Sequence, residues 1–107
     1  MIIVSRYFFY KNYVGLSLWP FLILKNSTLK KDAVLIHHEH IHLKQQKELL
    51  LVFFYVLYVL EWLLRSLWYL DTYKAYQNIS FEREAYANEV HLNYASQRKP
   101  FSFIKYL

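Results

Sequence analysis

The sequence predicts a mainly helical chain with a small β-hairpin, an α+β fold in one domain. Three observations lead there. A length of 107 residues supports a single modest core and no second domain. One glycine and two prolines leave few turn-formers, which favours long helices over a many-stranded sheet. Apolar residues then run through the middle of the chain almost unbroken, and a hydrophobic share of 56% with 21% aromatics is far from the composition of a disordered segment.

Residues 2–10 and 16–24 are rich in β-branched and aromatic side chains and flank Lys11-Asn12-Tyr13-Val14-Gly15, which predicts the hairpin. Pro20 has no ladder donor, so residues 16–24 are expected to form an edge strand or to bulge at Pro20. A polar connection completes residues 1–31. Asp32 is placed to cap a helix beginning at Ala33, and that helix is expected to continue through residue 70. Its second part, from Leu49, is apolar on every face, and Glu61 with Arg65 fits an i,i+4 ion pair. The uninterrupted apolar stretch, residues 49–60, falls short of the roughly 18 residues that argue for a membrane span. Residues 71–79 suit a break or short helix. Ser80 is expected to cap a further helix over residues 80–98, stopped by Lys99-Pro100, with an aromatic tail at 99–107 that packs back on the domain or on a membrane surface.

Chemistry concentrates in His38-Glu39-His40-Ile41-His42, which reads H-E-x-x-H inside the predicted helix. Residues four apart lie one turn above each other on one face, so His38 and His42 can offer two imidazole nitrogens to one metal ion. Glu39, beside the pair, is placed to act on an activated water as general base. With no cysteine in the chain, any zinc must be held by imidazole and carboxylate, the donor set of catalytic more than structural sites. Such a site takes a third protein ligand, and residues 81–89 offer Glu82, Glu84 and Glu89. Gln45 and Gln46 continue the histidine stripe and are candidates for binding substrate or orienting the site.

Glu82-Arg83-Glu84-Ala85 resembles the E-x-x-A element with which gluzincin metallopeptidases complete an H-E-x-x-H site. The likeness extends to integral-membrane peptidases of the CAAX-processing and stress-response type, and to a group of small bacterial proteins carrying both motifs, and it covers residues 16–95. The resemblance implies a zincin-like fold, with the motif helix packed against a second helix that carries the third ligand. It implies His38, His42 and Glu82 as zinc ligands, Glu39 as the base, and an edge strand that pairs with an extended substrate. One position departs from the membrane peptidases: they place an aspartate after the alanine, where this chain has Tyr86. Either Tyr86 or Glu89 must then supply the acceptor for a ligand histidine. Glu84 is the rival third ligand, and His91 or Tyr86 is a candidate for stabilising an oxyanion.

These readings predict a zinc-dependent metallopeptidase that hydrolyses peptide bonds, with a peptide or protein as substrate. A formal charge of +5 made of scattered lysines and arginines argues against nucleic acid and suits an anionic membrane surface on the cytoplasmic side. Met1 to Val4 is apolar with no basic stretch before it, so no signal peptide is expected. Two alternatives stand beside the enzyme. One is a non-catalytic metal-binding scaffold. The other is a small subunit of a membrane assembly, or a soluble oligomer, with residues 49–70 covered by a partner.

Overall fold

The computed structural model describes residues 2–5 and 14–107. Within them the chain is mostly helical, with a small three-stranded mixed sheet. Strands β1 (Ile2–Val4), β2 (Gly15–Leu18) and β3 (Phe21–Leu24) lie in the order β1-β3-β2. The central strand, β3, contributes the buried Leu22, Ile23 and Leu24.

The hairpin differs from the expected one. It joins β2 to β3, pairing Leu18 with Phe21 and Gly15 with Leu24, while β1 runs parallel to β3. Trp19 and Pro20, linked by a cis peptide bond, make the turn. A proline in a turn needs no ladder donor, so Pro20 divides residues 16–24 into two strands instead of bulging one. Residues 11–13 of the predicted turn and 6–10 of the strand before it lie outside the described residues, and Gly15, placed in that turn, opens β2 instead.

Helix α1 (Ala33–Glu48) starts as expected, with the Asp32 carboxylate accepting from the Leu35 N–H at 3.0 Å. It does not run on to residue 70. The Leu51 N–H bonds the Gln46 carbonyl and the Leu50 N–H bonds that of Lys47, the paired bonds of a Schellman ending. Leu50 takes the left-handed position at φ 56°, where glycine is usual. Leu51, at φ 63° and ψ −60°, forms a γ-turn of the strained positive-φ form, closed by the Val52 N–H on the Leu50 carbonyl at 2.6 Å. The break is invisible in the sequence because both special positions hold leucine.

Helix α2 (Val52–Tyr69) then crosses the domain and turns at Leu70 into α3 (Thr72–Gln77), whose first turn is capped by Asp71. One face of α2 looks inward. There Phe54 joins Ile79, Phe81 and Phe103 in the core, flanked by Tyr58 and Trp62. Glu61 lies on the same side and bonds Arg65 at 2.8 Å, the predicted pair.

Helix α4 (Ser80–Asn88) begins with Ser80 inside its first turn, not as its cap. The cap is Glu61 of α2, which accepts from the Ser80 N–H and hydroxyl, both at 2.7 Å. A carboxylate at a helix N-terminus also meets the positive end of the helix dipole. The helix is shorter than the predicted 80–98. His37 explains the turn that follows: its Nε2 accepts from the Ala95 N–H, so its Nδ1–H donates to the Glu89 carbonyl, and one ring clasps both ends of residues 89–95. After α5 (Tyr94–Gln97) the tail returns to the domain, with Phe103 against Phe81 and the Tyr106 hydroxyl accepting from the Asn88 amide.

Candidate metal centre

Helix periodicity brings His38 and His42 to the buried side of α1, and the inward turn of α4 brings Glu82 to meet them. The two Nε2 atoms are 3.1 Å apart. Glu82 Oε1 lies 3.2 Å from His38 Nε2, and Glu82 Oε2 lies 3.0 Å from His42 Nε2. Donor atoms on a tetrahedral ion with bonds of roughly 2.0–2.1 Å are separated by about 3.3 Å, so the spacing of the trio could hold a metal ion.

The outer hydrogen bonds fix which atoms face inward. The amide nitrogen of Gln45 donates to the Phe81 carbonyl and to Glu84, so its oxygen faces His42 and receives the Nδ1–H at 2.8 Å. His38 Nδ1–H donates to Glu89 Oε2 at 2.7 Å. Each ring has thus committed its Nδ1 proton, leaving two Nε2 lone pairs and a carboxylate aimed at one another in a buried pocket. Three buried acceptors converging on one point call for a cation among them, either a proton or a metal ion.

The electrostatics follow from this arrangement. Burial pushes the His42 imidazole down, but the Glu82 carboxylate, helped by Glu39, outweighs it and raises His42 to about 9. Burial would raise Glu82, yet His42 and His38 hold it well below the usual carboxylate range. In Glu39 burial prevails over the pull of the two histidines, and its carboxyl is raised. A carboxylate raised above its ordinary value is a stronger base than a free one.

Glu39 does not share the close contacts of Glu82. Its Oε1 accepts from the Ser17 hydroxyl at 2.7 Å. A single ligand atom from each of His38, Glu39 and His42 falls within 4.8 Å of the others, so that group could also hold an ion. Glu82, at 3.2 and 3.0 Å from the two imidazole nitrogens, is the carboxylate in direct contact with both rings. Gly15 of β2 packs over Glu39: a Cβ there would meet Glu39 Cγ at 3.3 Å and Leu35 Cδ1 at 3.2 Å, so a larger residue would press on the carboxylate.

The remaining predicted residues take distinct places. Glu89, not Tyr86, is the acceptor for His38, while Tyr86 sets its ring edge-on to His38 at 4.6 Å and hydrogen-bonds Tyr76. Glu84 is fully buried but engaged by Arg98, the Tyr94 hydroxyl and Gln45. Gln46 bonds β2, donating to the Ser17 carbonyl and accepting from the Trp19 N–H. His91 is exposed in the turn after α4.

Sequence reasoning missed Ser17, Tyr58 and Tyr76. The Tyr58 hydroxyl donates to Glu82 Oε2 at 2.8 Å, a polar function hidden in a run read as uniformly apolar. A cavity of about 290 Å³ opens from the acidic and imidazole groups toward Leu16, Phe54, Tyr55, Tyr58 and Tyr76. Comparisons with protein-family models, curated proteins and solved structures find no match to this chain.

Proposed function

We propose that this protein is a zinc-dependent metallopeptidase working at a membrane. The observation that carries the reading is the convergence of His38 Nε2, His42 Nε2 and the Glu82 carboxylate, with both Nδ1 protons committed elsewhere. These three residues would hold the ion, and Tyr58 would steady Glu82. Bound zinc supplies a Lewis acid that polarises a carbonyl and makes a water acidic.

The chain's own residues do the rest. Glu39, held by Ser17, takes a proton from water and returns it to the leaving amine. Among the described residues β2 is an edge of the sheet, and the outward groups of Gly15 with the N–H of Ser17 can pair with an extended peptide. Gln46 occupies the next outward positions along that edge, at the Ser17 carbonyl and the Trp19 N–H. The aromatic cavity beyond Glu39 has room for an apolar side chain of the substrate.

Membrane association rests on α2. It is long and apolar enough to cross a bilayer, and its outer face exposes Leu60, Leu63, Leu64, Leu67 and Trp68. Its charged pair, Glu61 and Arg65, lies on the protein side. Lipid is the environment that suits such a face.

Glu39→Gln tests the mechanism. It keeps the ligand trio, so zinc binding should persist while cleavage of a peptide library falls by about 10²–10⁴-fold. Full activity in this variant would sink the proposal.

A further inference from the structure

The C-terminal segment reaches the metal centre through a chain of contacts. Arg98, on the residue after α5, is nearly all buried, and its guanidinium forks between two carboxylates. Its NH1 and NH2 donate to Glu48 at 3.0 and 3.1 Å, while Nε and NH2 donate to Glu84 at 2.6 and 3.1 Å. Glu84 accepts in turn from the Gln45 amide at 3.0 Å, and Gln45 offers its oxygen to His42 Nδ1–H. The amide must therefore point its nitrogen at Glu84 and its oxygen at His42. The Phe81 carbonyl accepts from the same nitrogen at 3.1 Å, so a neutral amide in place of Glu84 would remove one of the two acceptors that set this orientation.

We propose that Arg98 and Glu84 are positioning residues for His42, acting through the Gln45 amide, so that residues of the C-terminal segment help to build the metal centre. This rests on the metal-centre reading above. Arg98 holds the Glu84 carboxylate through Nε and NH2, and that carboxylate joins the Phe81 carbonyl in selecting the amide orientation that holds the His42 ring with Nε2 inward. A buried arginine left with one carboxylate would be costly, so a loss of stability alone would not distinguish positioning from packing.

Glu48 supplies the control. It accepts two hydrogen bonds from Arg98, as Glu84 does, while the Gln45 amide bonds His42, Phe81 and Glu84, so Glu48→Gln weakens the ion pair and leaves the relay in place. The experiment is zinc affinity by chelator competition on the full chain, with the visible spectrum of the cobalt-substituted protein as a second readout. Glu84→Gln should weaken zinc by about 10–100-fold and alter the cobalt spectrum, whereas Glu48→Gln should change both little. Gln45→Met, which leaves the ion pair intact, should reproduce the Glu84→Gln effect and carries the test if Glu84→Gln fails to fold. Equal zinc affinities in Glu84→Gln and Glu48→Gln, or an unchanged affinity in Gln45→Met, would overturn the positioning role alone. Wild-type protein that binds no zinc would overturn the metal centre and this inference with it.

Discussion

Helices α1 and α2 are neighbours in sequence, yet they invert one another. On α1 the buried residues are His37, His38, Glu39, Ile41, His42, Gln45 and Gln46, six of them polar. On α2 the only buried residue is Phe54, and the outward residues are apolar, Leu67 at 75% and Trp68 at 83% exposure. Burying polar groups is tolerable only when each finds a partner, and each of the six does, across β2, α4 or the turn that follows α4. Such a density of matched polar contacts in a small chain is the mark of a site. Exposing leucines along about three turns of helix has no comparable compensation in water, which is the ground on which we propose lipid as the environment of α2.

The largest effect that could break this contrast is on the membrane. Two arginines on the outer face of α2, Leu60→Arg with Leu64→Arg, should move the protein from the membrane fraction to the soluble one. Each costs about 2.5–3.5 kcal/mol at mid-bilayer. Unchanged partitioning on flotation with anionic vesicles would instead assign that face to a protein partner.

A smaller effect concerns the inner face. Glu61→Gln removes the charge that holds the Ser80 N–H, the Ser80 hydroxyl and Arg65 together. The loss in stability should be about 2 kcal/mol, read by denaturant titration in a membrane mimic. A neutral result would show that α2 is not what seats α4.

The polar side of the contrast can be sharpened with pH. The metal-free His42 is raised to about 9, above its ordinary 6.5, so its contribution to stability is full below about 6.5 and is lost as pH rises through about 9. Zinc needs the neutral ring, and binding at pH 7 should therefore release about one proton. Calorimetry in buffers of different ionisation enthalpy measures it. No proton release would mean that His42 is not a ligand.

Much of the site was legible because its chemistry is periodic: His38, Glu39 and His42 share a helix, and Glu82 lies in a recognisable element. The Asp32 cap and the Glu61–Arg65 pair also follow from local rules. What was hidden depends on tertiary contacts or on residues in unusual roles. Leu50 and Leu51 hold backbone positions that glycine would have advertised, so the α1–α2 break read as continuous helix. Pro20 read as a flaw in one strand because a two-residue turn between short strands has the same composition. Ser17, Tyr58 and Arg98 carry no motif; only the approach of β2, α2 and the C-terminal segment to α1 and α4 gives them work.

The central claim is that His38, His42 and Glu82 form one metal centre. Elemental analysis of protein purified without chelator or nickel resin, beside Glu82→Ala, tests it most directly. About one zinc per chain is expected in the wild type, with a large loss in the variant. A wild type that stays free of zinc after supplementation, or a Glu82→Ala protein that keeps its full complement, would contradict it.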